Sequence, residues 1–160
     1  MAVRTLKLQV NGSLHAVQAD EAAPLLYLLR NDLSLRAAHF GCGLEQCGSC
    51  HVLVDGKSVA SCTAVASDFE GKTITTLEGL KGTSDTLHPL QQAVLDEQAA
   101  QCGYCLSGML VSAAALLQRN ADPSDADIRS ALDQHLCRCG SHNRFVRAVQ
   151  KAAFTLRAVP

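Results

Sequence analysis

The 160-residue sequence has no excess of charge of either sign: 14 lysines and arginines stand against 15 aspartates and glutamates. That balance, with no long basic run, argues against nucleic acid or an anionic membrane as the main partner. Long apolar runs are missing too. The longest, Met109 to Leu117, contains Ser112 and is too short to span a bilayer. The N-terminal stretch Met1-Ala2-Val3-Arg4-Thr5-Leu6-Lys7-Leu8 alternates apolar and polar residues, and so lacks the continuous apolar core of a secretory signal. The expectation is a soluble, cytoplasmic chain, with export alongside a signal-bearing partner left open. No Ser/His/Asp arrangement, phosphate loop or dinucleotide fingerprint is present, so no catalysis is expected from the isolated chain. Tandem repeats and low-complexity segments are absent as well.

What is present in quantity is cysteine. Eight of them stand at 42, 47, 50, 62, 102, 105, 137 and 139, in a chain that is 48% apolar and therefore expected to fold. Without a secretory signal, clustered cysteines point to metal or redox chemistry rather than disulfides.

The chain divides by pattern. Residues 3–10 alternate like a half-buried strand, and Asn11-Gly12 supplies a hairpin turn into residues 13–18. Asp20 reads as a helix N-cap, with Pro24 in the first turn and Leu25, Leu26, Leu28 and Leu29 as an apolar face. A glycine-rich loop over 38–50 leads to a strand at His51–Val54, a turn at Asp55-Gly56, a return strand at Lys57–Ala60 and a further strand at Thr73–Leu77. Residues 79–87 read as a linker, around Gly79-Leu80-Lys81-Gly82-Thr83-Ser84. Beyond it, His88–Gln98, Leu106–Arg119, Ser124–Gln134 and Asn143–Arg157 each show helical spacing, and Ser124-Asp125-Ala126-Asp127 resembles a capping box. The predicted organisation is a small α+β unit over 1–78 and a four-helix unit over 88–160. Units of about 80 residues are marginal on burial alone, and a metal group gripped by four side chains would help close the gap.

The first cysteine group, Gly41-Cys42-Gly43-Leu44-Glu45-Gln46-Cys47-Gly48-Ser49-Cys50 followed by Cys62, has the spacing C-x4-C-x2-C-x11-C. Its first three ligands match plant-type 2Fe–2S spacing. Four thiolates around two ferric ions and two sulfides leave a dianion. A short loop must therefore wrap it and aim backbone N–H groups at sulfur, which Gly41, Gly43 and Gly48 would allow through positive φ and close approach. Cys62 would close the site from the far side of a hairpin. Structural zinc prefers paired knuckles, which this pattern lacks.

The second group, Gln101-Cys102-Gly103-Tyr104-Cys105 with Leu136-Cys137-Arg138-Cys139-Gly140, gives C-x2-C-x31-C-x-C. A C-x2-C pair suits zinc or iron–sulfur, and the C-x-C pair leans toward iron–sulfur. Cys105 and Cys139 each precede a predicted helix, whose N-terminal N–H groups favour an anion.

Together the two groups resemble the 2Fe–2S subunit of the xanthine oxidase family of molybdenum hydroxylases. The resemblance covers nearly the whole chain, through Gly41–Cys50, Gln101–Cys105 and Cys137–Gly140, with His88-Pro89-Leu90-Gln91 and Gly108-Met109 also fitting. It implies a ferredoxin-like β-grasp domain followed by an all-α 2Fe–2S domain. Cys42, Cys47, Cys50 and Cys62 would then bind the cluster farther from molybdenum, and Cys102, Cys105, Cys137 and Cys139 the nearer one. Gln101 would approach the pterin of the molybdenum cofactor on a large catalytic partner subunit. Two departures from the commoner pattern, Leu106-Ser107 and Gly140-Ser141-His142-Asn143-Arg144, look more like the small subunits of nicotinate dehydrogenase and isoquinoline 1-oxidoreductase. They imply an N-heterocyclic or aldehyde substrate and a cytochrome c or FAD acceptor. The rival readings are a free-standing ferredoxin-type carrier, a zinc module, and the iron–sulfur subunit of a carbon monoxide or xanthine dehydrogenase-type complex.

The histidines invite a Rieske reading, but its paired His and Cys spacing is absent. His51 and His135 read as hydrogen-bonding or surface residues, and His142 as a candidate hydrogen-bond donor to the second cluster. Arg138, between two ligands, would stabilise a reduced cluster or pair with a carboxylate at a subunit interface. Tyr104 reads as packing, and Met109, Leu110, Ala113, Leu116 and Leu117 as an ordinary core face.

Overall fold

The computed structural model describes residues 3–81 and 85–158. Met1 and Ala2 of the N-terminal stretch, Gly82-Thr83-Ser84 of the expected linker and the last two residues lie outside the described residues.

Five strands form one mixed sheet. β1 (Val3–Val10) and β2 (Ser13–Asp20) are joined at Asn11-Gly12, and β3 (His51–Val54) and β4 (Lys57–Ala60) at Asp55-Gly56. Both turns have positive φ at both central residues, the geometry that an Asn-Gly or Asp-Gly pair adopts to match strand twist. β5 (Thr73–Thr75) completes the order β2-β1-β5-β3-β4, parallel to β1 and antiparallel to β3.

Asp20 does not cap the following helix. It ends β2, paired with Val3, and its carboxylate accepts the Ala22 amide at 3.1 Å. The helical stretch starts after Pro24 as α1 (Leu25–Tyr27) and loosens into a π-helical turn over Leu28–Asp32. A side-chain cap is unnecessary because its first amides are used elsewhere. Leu25 N donates to Ala64 O at 2.8 Å and Leu26 N to Ser61 O at 2.9 Å, which fastens the segment bearing Cys62. Leu25, Leu26, Leu28 and Leu29 are all buried, with Leu6, Leu8, Val10, Val52 and Ile74, in the core on one face of the sheet.

The strand expected over Thr73–Leu77 stops at Thr75. Leu77–Gly79 forms a 3₁₀ turn, and Leu77 packs instead against the helical core. Four helices follow: α2 (Pro89–Asp96), α3 (Leu106–Arg119), α4 (Asp125–Leu132) and α5 (His142–Ala158). Ser124 and Asp127 make the expected reciprocal capping box. α2 starts from a less common cap: His88 Nδ1 accepts the Leu90 amide at 3.1 Å, Gln91 Oε1 accepts the His88 amide at 3.0 Å, and Pro89 fills the first helical position.

α3 is central. Every residue from Ser107 to Leu117 is buried, wider than the one-sided face its spacing suggested. Met109, Leu110, Ala113, Leu116 and Leu117 join Phe145 and Val149 in the helical core, while Val111 and Ala115 turn the other way onto Leu53 of β3. β3 is consequently buried at all four residues. Val52 and Val54 face the α1 core, and His51 and Leu53 face α3. The strand on which the two halves meet is thus the strand that starts directly after Cys50.

Candidate functional site

The fold sets the eight cysteines in four contacting pairs, two pairs from each of the sequence groups. In the first, Cys42 and Cys47 have their thiols within hydrogen-bonding reach of one another, as do Cys50 and Cys62. The β3–β4 hairpin brings the second pair near: His51 pairs with Ala60, so the ladder carries Cys50 to the level of Ser61, next to Cys62. Ser61 Oγ reinforces the closure by donating to Cys50 O at 2.6 Å.

The loop around Cys42 is a nest of amides. Leu44 N and Gln46 N donate to Cys42 Sγ at 3.3 and 3.2 Å, and Cys42 N donates to Cys47 Sγ at 3.4 Å. Positive φ occurs at Gly43, Glu45 and Gly48. Gly41 is not among them. Its requirement is space, since a Cβ there would lie 2.6 Å from Cys47 Sγ. The amides of Leu44 and Gln46 pull the Cys42 thiol down to about 7, whereas burial pushes Cys50 up to about 11.

In the second group Cys102 contacts Cys139, and Cys105 contacts Cys137. All four thiols line one small cleft with Gln101, Met109 and Ser141. Cys105 is the N-cap of α3, as its position before a predicted helix suggested. Burial beside Cys137 pushes Cys105 up to about 12. Burial also acts to raise Cys137, but the Ser141 backbone and hydroxyl outweigh it and bring the thiol down to about 6. Ser141 Oγ lies 3.7 Å from Cys137 Sγ. Sequence reasoning missed this serine. The available signal was a hydroxyl four residues after a candidate ligand, at the start of a helix.

The His142 Nε2 lies 3.2 Å from His135 O, two residues before Cys137. Tyr104 does more than pack. Its ring stacks on His39 at 4.7 Å between centroids, and its hydroxyl donates to Phe40 O, tying the second loop to the first. Gln101 is exposed, with Nε2 donating to Cys139 O at 3.2 Å. Arg138 is exposed and makes no ion pair among the described residues.

His51 and His135 sit in the seam between the halves. Ser112 of α3 holds His135 Nε2 at 2.8 Å, and Ser58 holds His51 Nδ1 at 2.7 Å and Ser112 at 2.6 Å. Burial, with His51 nearby, lowers His135 to about 4. These rings are neutral hydrogen-bonding elements.

Among the described residues no three His, Cys, Asp or Glu side chains converge on a point that would suit one metal ion. A two-iron, two-sulfide group asks for something else: two thiolates on each iron, hence paired cysteines on opposite sides, with amides directed at sulfur. Both quartets fit that demand, and the first has the amide nest that a dianion requires.

Comparison with known proteins agrees. Residues 8–77 match the model of a 2Fe-2S iron-sulfur cluster binding domain and residues 76–150 that of a [2Fe-2S] binding domain. The chain is 52% identical to one of the subunits of nicotinate dehydrogenase from Pseudomonas putida, over 96% of its own length and 97% of that protein's. It is 43% identical to the alpha chain of isoquinoline 1-oxidoreductase from Brevundimonas diminuta, over 90% and 94%. Among solved structures, it superposes on a chain of quinoline 2-oxidoreductase from Pseudomonas putida 86 with TM-score 0.91 and 31% identity, covering 98% of both chains. Aldehyde oxidoreductase from Desulfovibrio gigas gives TM-score 0.91 at 38% identity, this chain covering 18% of that longer one. With its α+β half, its helical half and two four-thiol sites of the right chemistry, the chain belongs to the 2Fe–2S electron-transfer small subunits of the xanthine oxidase family of molybdenum hydroxylases.

Proposed function

We propose that Cys42, Cys47, Cys50 and Cys62 hold one 2Fe–2S cluster, and that Cys102, Cys105, Cys137 and Cys139 hold the other. The observation that carries this assignment is the two-by-two contact of thiols within each quartet. When bound, each group supplies a one-electron couple. The chain's own residues set the surroundings: amides and Ser141 stabilise thiolate, and burial of Cys50 and Cys105 keeps water from one side of each site.

The second quartet is the entry side. Cys102 and Gln101 are both exposed, which suits a site that meets a partner's redox centre, and we take the Gln101 side chain to touch the pterin there. The partner is the large molybdenum-cofactor subunit. Electrons leave from the first quartet to a separate acceptor, which we take to be a cytochrome c or an FAD subunit. Similarity to nicotinate dehydrogenase and isoquinoline 1-oxidoreductase subunits supports an N-heterocyclic aromatic substrate, hydroxylated on the partner with water as oxygen source. We take residues 1–78 and 88–160 as the two cluster-binding units, with 79–87 between them. No helix among the described residues is long and apolar enough to cross a membrane, and we take the setting to be cytoplasmic, where thiols stay reduced and able to bind metal.

The test is anaerobic addition of nicotinate to the complex purified with its large subunit. The reading predicts loss of the red-brown visible absorption as both groups are reduced. A complex that contains molybdenum, hydroxylates its substrate and yet leaves that absorption unchanged contradicts it.

A further inference from the structure

The two quartets belong to different halves, so the electron's route between them depends on how the halves touch. Among the described residues, one backbone hydrogen bond joins the two cysteine segments directly. Leu136 N donates to Cys47 O at 3.1 Å. Cys47 belongs to the first quartet, and Leu136 is bonded to Cys137 of the second. From Cys47 Sγ to Cys137 Sγ the path therefore runs through covalent bonds interrupted by one hydrogen bond, with no jump across space. Electron tunnelling decays more slowly along bonds than across gaps.

The adjacent residues of the same two segments hold that bond in place. Gly48 follows Cys47, and His135 precedes Leu136. The His135 ring lies so close against Gly48 that a Cβ on that glycine would be 2.1 Å from Nδ1. From the other side α3 closes in at Gly108, where a Cβ would be 1.9 Å from Gly48 O. Only glycine permits that approach. His135 is itself fixed, 3% exposed, with Nε2 on Ser112 of α3 and its amide on Leu132 O. Ser112 also bonds Ser58 of β4, which bonds His51 beside Cys50. Gly48 is thus gripped between a helix and an imidazole, each anchored to the other half.

We propose that Gly108 and His135 are positioning residues for electron transfer between the quartets, acting by clamping the Cys47–Gly48 peptide so that its carbonyl receives the Leu136 amide. The proposal rests on the cluster assignment above. In the step concerned, one electron is given up at the second quartet and taken up at the first, and no bond is made or broken.

The test compares wild type, Gly108→Ala, His135→Phe and His135→Gln as full chains in complex with the large subunit. Phe keeps the ring volume but loses the bond to Ser112; Gln presents an amide near the Nε2 position. The readouts are iron content, the two separate EPR signals, the magnetic splitting between them when both groups are reduced, and the rate of electron passage from second to first. Gly108→Ala and His135→Phe are expected to retain both signals, reduce the splitting and slow the passage several-fold, since loosening the hydrogen bond puts a wider gap into the path. His135→Gln is expected to restore most of both. Wild-type splitting and rate in His135→Phe with full iron would overturn the proposal, whether or not Gly108→Ala assembles. Loss of one signal in His135→Phe that Gln does not rescue would also overturn it, by showing a role in assembly alone. Iron-free wild-type protein would instead overturn the cluster assignment itself, and metal analysis tells the cases apart.

Discussion

The two quartets solve one chemical problem on opposite scaffolds. The first uses a loop whose amides point at Cys42 and Cys47, and a hairpin whose ladder carries Cys50 to the level of Ser61, next to Cys62. The second uses helix ends and a serine, with Cys105 at the head of α3 and Ser141 against Cys137. In each, one thiol is depressed by hydrogen bonds while another is raised by burial, so every site has a wet edge and a dry one. The lesson is that the thiolate count is shared but the stabilising donors are not: backbone in one half, backbone and hydroxyl in the other.

The largest expected effect separates the quartets outright. Cys50→Ala should abolish the first cluster and Cys105→Ala the second. Each should lower iron from about four to about two per chain while sparing the other signal. Metal and acid-labile sulfide analysis reads this. Loss of all iron in either variant would mean that the halves do not load independently. Each variant should also lower the unfolding midpoint of its own half, because metal binding is coupled to folding there.

A finer substitution sharpens the contrast between backbone and hydroxyl donors. Gly41→Ala places a methyl where Cys47 Sγ now approaches. It should weaken or eliminate the first EPR signal and leave the second unaltered. An intact first signal would show that the loop gives way more easily than its amide bonds suggest.

The smallest effect distinguishes the helical half by pH. His88 caps α2 only as a neutral acceptor, and burial lowers its pKa below 6.5. The unfolded chain therefore takes the proton first as pH falls. Stability from this cap is in place above about 6.5 and is lost as pH drops through that value toward the folded pKa. His88→Asn keeps an acceptor and should flatten that part of the profile, while His88→Ala should cost about 1 kcal/mol at pH 7.5. Urea midpoints at pH 7.5 and 5.5 check both; parallel slopes in wild type and His88→Asn would contradict the cap's role.

How much of this was legible in the sequence follows the range of the interactions. The cysteine spacing, both two-residue turns, the Ser124 cap and the four helices are local patterns and could be read directly. So could the apolar face at Leu25 to Leu29. Asp20 misled because the amides it would have capped are taken by Ser61 and Ala64, far along the chain. His88 gave no cap signal, since histidine is uncommon in that place, and only its bond to Leu90 reveals it. The seam was invisible for the same reason. Gly48, Gly108, Ser112 and His135 are scattered in sequence, and nothing local says that they meet. Of the two properties expected of Gly41, close approach and positive φ, only the first is used: it supplies room beside a sulfur.

The measurement that bears most directly on the two-quartet account is low-temperature EPR of the dithionite-reduced complex, with iron, sulfide and zinc determined on the same sample. The account predicts two distinct 2Fe–2S signals, about four irons and four sulfides per chain, and no stoichiometric zinc. A single signal, or a zinc-loaded protein without iron, would contradict it.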